Sequence, residues 1–77
     1  MKKYQVLVTL RDGVKDIAGE AIKKGANNLP KVQQKVKDLS IGKVIYLTCE
    51  DDLDISMLCE SLLANTVIEK YEINQLK

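Results

Sequence analysis

The side chains able to do chemistry are few and scattered. Glu50, Asp51, Asp52 and Asp54 form the one dense carboxylate group, Gly42-Lys43 is the one glycine–lysine step, Arg11 is the only arginine, and Cys49 and Cys59 are the two thiols. Carboxylates at this density suit a divalent cation, a glycine–lysine step suits a phosphate, and a pair of thiols suits zinc or redox exchange. None of the three has the pattern its chemistry needs. The acidic run lacks the glycine and the closing glutamate of a calcium loop, and acids at the start of a helix explain it more simply. Gly42-Lys43 lacks the upstream glycine and the following Ser/Thr of a phosphate loop, and it precedes a strand rather than a helix. The cysteines lie ten residues apart in a chain without histidine, so neither a zinc site nor a C-x-x-C pair is encoded. Both thiols read as small buried apolar groups.

Catalysis fares no better. The commonest general base is absent with histidine. Ser40, Ser56 and Ser61 have no activating partner, and none sits in a G-x-S-x-G elbow. A single arginine beside Asp12-Gly13 is weak evidence for a phosphate site. No catalytic, cofactor or metal site is expected in this chain.

The elements that would position these groups follow from periodicity. Tyr4, Val6, Val8 and Leu10 alternate with Lys3, Gln5, Leu7 and Thr9 as a strand with one strongly apolar face, and Arg11-Asp12-Gly13 stops it. Asp16 stands at a helix N-cap. Ala18, Ala21, Ile22, Gly25, Ala26 and Leu29 form an apolar stripe, and Pro30 ends the helix. Small residues on that stripe, Gly19 and Gly25 included, predict a helix lying very close to a sheet. Val32 to Leu39 reads as a weaker, polar strand, and Lys43 to Cys49 as a strong one with Ile45, Leu47 and Cys49 on one face and Val44, Tyr46 and Thr48 on the other. Asp51, Asp52 and Asp54 open a second helix with the stripe Ile55, Leu58, Cys59, Leu62 and Leu63. Asn65 ends it in a left-handed conformation, and Val67, Tyr71 and Ile73 supply a last strand.

The expected fold is therefore α+β, one domain over residues 1–77. It is an antiparallel sheet with two helices on one face in the order β-α-β-β-α-β, the ferredoxin-like arrangement. The open face would carry Leu7, Thr9, Val44 and Tyr46, too apolar to be left in water in a chain of 77 residues. A core this small contributes only about 3–5 kcal/mol unaided. Together these predict a homo-oligomer, at least a dimer, with the open sheet face or an unpaired edge as an interface.

Charge is unevenly spread. Residues 1–43 hold ten Lys/Arg against four Asp/Glu, and residues 44–77 hold two against seven. Because the lysines are dispersed, this reads as two solvated faces of opposite sign or as head-to-tail complementarity between subunits, in preference to a nucleic-acid arm. An RNA-recognition module shares the element order, but it stacks bases on aromatic residues of its open face. This chain has no Phe or Trp, and its three tyrosines fall in different strands. No apolar run approaches the roughly 20 residues of a membrane span, and the amino terminus lacks a signal-peptide pattern. A cytoplasmic protein with no nucleic-acid or membrane partner is expected.

Three segments carry a resemblance to a known family. Gly13, Val14, Asp16, Gly19, Ala21 and Ile22 fit a G-V-x-D-P-x-G-x-A-I pattern, with Ile17 in place of the proline. Gly42, Lys43 and Leu47 fit G-K-x-x-x-L. Leu62, Leu63, Asn65, Val67, Ile68, Glu69 and Tyr71 fit L-L-x-N-P-V-I-E-x-Y, with Thr66 in place of the proline. The chain resembles the PurS family, small subunits of phosphoribosylformylglycinamidine synthase, over nearly its whole length. The resemblance implies a non-catalytic role in purine biosynthesis, joining a glutaminase subunit, PurQ, to a synthetase subunit, PurL. It also implies help in passing ammonia between them for the glutamine- and ATP-dependent conversion of formylglycinamide ribonucleotide to formylglycinamidine ribonucleotide. ATP and magnesium would belong to the synthetase subunit. The matched positions Asp16, Gly19, Gly42, Lys43, Asn65 and Glu69, with Tyr46 on the open face, are then the candidate interface. Each also has a local reading, such as helix capping by Asp16, close packing at Gly19 and helix termination at Asn65. A small-molecule-sensing regulatory module of the same fold, acting as a dimer, is the alternative.

Overall fold

A computed structural model describes residues 1–77. Strand β1 (Lys2–Leu10) is central, flanked by β2 (Lys43–Cys49) and β3 (Glu69–Leu76), all antiparallel. The register sets Val6 opposite both Ile45 and Ile73, and Val8 opposite Lys43 and Tyr71. Side chains alternate across a strand. Tyr4, Val6, Val8, Ile45, Leu47, Cys49, Tyr71 and Ile73 therefore share one face, and Gln5, Leu7, Val44, Tyr46, Glu72 and Asn74 share the other. The α+β class and the antiparallel sheet are as the pattern implies.

The strand count is not. Val32–Leu39 forms no strand. The chain turns over residues 31–34, where Gln33 and Gln34 adopt the left-handed region at φ 50° and 62°, and then returns to β2 without regular secondary structure. Pro30 and the two left-handed residues commit it to reversing against α1. The Asn27 side chain completes the reversal: its Nδ2 donates to the Val36 carbonyl and its Oδ1 accepts from the Val36 N–H, both at 3.0 Å. An amide side chain thus replaces the neighbouring strand, and the outer edge of β2 stays unpaired.

Helix α1 (Ile17–Asn27) starts and stops where expected but does not pack on the sheet. Its stripe residues Ala18, Ala21, Ile22, Gly25 and Leu29 are exposed, with only Ala26 half-buried. Gly19 is buried for a local reason: a Cβ there would collide with the Asp16 carboxylate, whereas one at Gly25 would meet open space. The expected close approach of helix to sheet is absent within the protomer. One helix, not two, covers the sheet face.

That helix is α2 (Ile55–Leu58), which continues into a π-helical turn, Cys59–Leu63, closed by Ala64 N–H donating to the Cys59 carbonyl at 2.9 Å. Asp54 caps its start, accepting from Met57 N–H at 3.2 Å. The wide turn explains a misassigned residue. On a regular helix Leu62 continues the stripe of Ile55, Leu58 and Cys59. With one additional residue in the turn, Leu63 and Ala64 rotate inward and Leu62 points to solvent, 74% exposed. The buried core is Val6, Val8, Ile55, Cys59 and Ala64. Nor is Asn65 left-handed, since Gln33 and Gln34 are the only non-glycine residues with positive φ. Its Oδ1 accepts from Val67 N–H instead, opening a turn into β3.

The protomer is long and thin, 51 × 28 × 13 Å, with a radius of gyration of 16.1 Å. A compact chain of this length has a radius near 11–12 Å. Its accessible surface of 5926 Å² also exceeds the roughly 4,700 Å² expected for a compact monomer of 8.6 kDa.

The π turn makes a stability prediction. Ile55→Ala should cost about 2–5 kcal/mol in urea denaturation, the usual range for a buried large-to-small change. Leu62→Ala should stay within about 0.5 kcal/mol, as for an exposed site. Equal losses at both positions would mean that Leu62 lies on the buried stripe after all.

Candidate functional site

Six of the seven candidate residues meet at one end of the sheet, where β1 finishes and β2 and β3 begin. Asp16 is the hub of the first group. Its Oδ1 accepts from Gly19 N–H at 2.7 Å, capping α1, and its Oδ2 accepts from Ile41 N–H at 2.9 Å, tying down the returning chain just before β2. These two backbone bonds, Ile41's first, hold the Asp16 carboxyl below its ordinary value of 3.8. Gly42 follows, pressed against β1: a Cβ there would stand 2.6 Å from the Val8 carbonyl oxygen. Glycine is needed here for the close passage of two backbones.

The second group sits one strand away. Lys43 lies opposite Val8 and Glu69 opposite Leu10, so both project from the helix-bearing face on either side of β1. Lys43 Nζ approaches Glu69 Oε2 at 3.7 Å, and Glu69 Oε1 accepts from Asn65 N–H at 2.7 Å. The Asn65 carbonyl in turn accepts from the N–H groups of Ile68 and Glu69 at 3.0 and 2.7 Å. Asn65 and Glu69 thereby close a loop that Lys43 fastens to β2. Lys43 and Glu69, two of the candidate interface residues, are paired with each other.

Arg11 completes this end and was not legible as part of it. Its Nε donates to the Thr66 carbonyl at 2.9 Å and its backbone N–H to the Ile68 carbonyl at 2.8 Å. The single arginine ties the 65–68 turn to the end of β1. Nothing in the sequence links positions 11 and 66; only the strand pairing brings them together. The turn so held presents Val67 to solvent.

Tyr46 stands apart on the open face. Its hydroxyl accepts from Gln5 Nε2 at 3.1 Å, and Gln5 Oε1 accepts from Asn74 Nδ2 at 3.3 Å, a polar row across all three strands. Val44 and Leu7 flank it, so this face is more polar than the pattern of β2 alone suggests.

The remaining candidate chemistry has structural employment. Asp54 is a cap, and Asp51 pairs with the Met1 ammonium at 3.1 Å. No group of three or more potential metal ligands assembles. The Cys59 thiol is fully buried, and burial, followed by the nearby Glu60 charge, raises its pKa, so it stays protonated and inert at neutral pH. Tyr71 donates to Glu60 Oε1 at 3.0 Å, and that bond raises its pKa. The two surface depressions, about 550 Å³ along α1 and about 270 Å³ beside Arg11 and Asp38, are open and lined mainly by polar residues. Small-molecule sites are typically enclosed and apolar, so a ligand-sensing module finds little support. No helix is long and apolar enough to cross a membrane.

These features define a small α+β subunit of the ferredoxin-like class, elongated, with its matched residues gathered at one sheet end. A family model described as PurS, phosphoribosylformylglycinamidine (FGAM) synthase, matches residues 3–77. The chain belongs to the PurS family. It is 39% identical to the Bacillus subtilis FGAM synthase subunit PurS, over 99% of this chain and 96% of the relative. A crystal structure of B. subtilis PurS superposes with a TM-score of 0.88 at 36% identity, covering both chains completely. PurS in the PurLQS structure from Thermotoga maritima superposes with a TM-score of 0.79 at 32% identity, over 97% of this chain and 96% of that one.

Two outcomes test this end of the sheet. The depressed Asp16 pKa contributes stability that is complete above the ordinary carboxylate value of 3.8 and disappears as pH falls through the lower folded value. The denaturation midpoints of wild type and Asp16→Asn should therefore differ at neutral pH and converge below pH 3.8. A gap that persists unchanged in acid would exclude this source. Separately, Glu69→Ala should lose about 0.5–2 kcal/mol, as when a cap is removed, while Lys43→Ala, ending a 3.7 Å ion pair whose lysine is exposed, should change stability by less than about 1 kcal/mol. Equal effects would mean that the ion pair, not the Asn65 hydrogen bond, holds the turn.

Proposed function

We propose that this chain is the small subunit of a phosphoribosylformylglycinamidine synthase in purine biosynthesis. It associates with itself and joins a PurQ-type glutaminase to a PurL-type synthetase, assisting ammonia transfer between them. The observation that carries the reading is the match to the PurS family over residues 3–77, together with the likeness to the T. maritima PurLQS structure along nearly the whole of both chains. The physical character of the chain supports it. Thirteen large apolar side chains are exposed, including Ile17, Leu62 and Val67 at 73%, 74% and 83%. Surface apolar groups in this number on a small protein suit assembly better than solitary life.

In this reading the larger subunits perform the chemistry. Glutamine hydrolysis takes place in one and activation of formylglycinamide ribonucleotide in the other, with ATP and magnesium held by the synthetase. The role of this chain is to keep the two sites in register, and its place of work is the cytoplasm, where the nucleotide substrates are made. The sheet end built from Asp16, Gly42, Lys43, Asn65 and Glu69 contributes by fixing where α1 and the 65–68 turn stand relative to the sheet.

Reconstitution tests the proposal. Glutamine-dependent formation of formylglycinamidine ribonucleotide by matched PurL and PurQ subunits should require this chain, and the isolated chain should hydrolyse neither glutamine nor ATP. Full coupled activity without it, or turnover by the chain alone, would overturn the proposal.

A further inference from the structure

The outward side of α2 is apolar where a helix lying on a sheet is ordinarily polar. Leu53 just before the Asp54 cap, Met57 in the first turn and Leu62 in the π turn are all exposed. Val67, more exposed still, stands in the centre of the turn that follows, closed by Ile68 N–H donating to the Asn65 carbonyl. Leu62 is turned out by the helix itself. Closing the turn from residue i to i+5 sends it to solvent while Leu63 and Ala64 keep their inward positions. The same widening draws residues five apart toward one side, so Leu62 moves toward Met57. A polar residue at 62 would serve the protomer equally well, yet Leu62 and Val67 both fit the pattern the chain shares with its family. Single apolar side chains on a surface are ordinary, whereas a succession of them along one side of one element marks an interaction site.

Charge says what kind of partner fits. Between Lys43 and Lys70 there is no basic side chain, and the carboxylates there are Glu50, Asp51, Asp52, Asp54, Glu60 and Glu69. The Met1 ammonium meets Asp51 and Lys43 meets Glu69; the others pair with no cation. The apolar side of α2 is thus bordered by uncompensated negative charge. An apolar centre within a polar rim is the anatomy of a protein–protein interface, and a negative rim selects a partner whose apolar cleft is edged with lysine or arginine.

We propose that this side of α2 and the 65–68 turn dock the synthetase subunit, with Leu62 and Val67 seated in an apolar cleft edged with basic residues. This rests on the function proposed above and specifies which surface meets which subunit. Charge chooses the synthetase. Its two nucleotide substrates, ATP and formylglycinamide ribonucleotide, are phosphorylated anions, and a subunit that attracts and holds them carries a positive field. The glutaminase handles glutamine, a zwitterion without net charge, and has no such requirement. The surface includes neither the α1 stripe, nor the outer edge of β2, nor the open sheet face. One chain can therefore hold its own copies and the synthetase together. The candidate residues at this sheet end take part by positioning: the Arg11 and Glu69 bonds fix the turn that carries Val67.

The test uses the complex reconstituted from this chain and matched PurL and PurQ, with glutamine and ATP present. A photoreactive benzoylphenylalanine in place of Leu62 should cross-link to PurL on irradiation, as read by mass spectrometry. Leu62→Asp should raise the concentration of chain needed for half-maximal formylglycinamidine ribonucleotide synthesis about tenfold or more, by placing a charge in an apolar contact. Its circular dichroism and its sedimentation alone should match wild type. The concentration needed by wild type should itself rise with salt. Val67→Asp, in a different element, should act as Leu62→Asp does, and carries the test if Leu62→Asp fails to fold. An active complex that cross-links instead to PurQ or to a second copy, or a folded variant that activates as wild type does, overturns this assignment and leaves the proposed function standing. A wild-type chain that supports no coupled synthesis overturns both.

Discussion

The Asp16 carboxylate decides the shape of the molecule. Its two oxygens hold two backbone N–H groups 22 residues apart in sequence, Gly19 at the first turn of α1 and Ile41 at the entry to β2. A carboxylate accepting two amides fixes the direction in which the helix leaves and the place to which the chain returns. With both ends of residues 17–41 pinned to one side chain, the intervening chain must form a closed arm. Its length beyond the sheet follows from that, as does the glycine at position 42, where the returning backbone has to pass within touching distance of Val8.

Local chemistry in this chain was legible in the sequence; distance was not. Asp16 was recognisable as a cap, and Asp54 as one of the acids that open a helix, because both readings need only the few residues that follow. The alternation of β1 and β2 identified the faces of the sheet correctly for the same reason. Val32–Leu39 failed as a strand because strand formation depends on an edge to pair with, and the left-handed Gln33 and Gln34, which send the segment back along α1, carry no glycine or asparagine to announce them. Leu62 failed because a π turn leaves the composition of a helix unchanged while shifting every later residue by one position. The stripe on α1 was read correctly as apolar and wrongly as buried in its own fold. Periodicity reports that a face wants covering and says nothing of which chain covers it.

The two positions where family prolines are replaced also make physical sense. Ile17 is the first residue of α1, where an amide has no helical acceptor and proline is ordinarily welcome. Thr66 lies in the turn after Asn65, and its N–H donates to none of the turn's carbonyls, which are occupied by Arg11, Ile68 and Glu69. Neither site depends on the missing ring for a hydrogen bond. Both turns keep their shape through side chains instead, the Asp16 cap at one and the Arg11 and Glu69 bonds at the other.

The central position of β1 has a consequence for synthesis on the ribosome. The first strand made needs both later ones: β2 begins more than thirty residues after β1 ends, and β3 more than fifty. The arm, closed by contacts within residues 16–41, can form as soon as it emerges. The apolar face of β1 must wait, first for β2 and then for the last strand. Vectorial synthesis therefore delivers a finished arm attached to an unfinished sheet. During that interval the apolar face of β1 lacks the last of its partner strands, and its burial is the final event of folding.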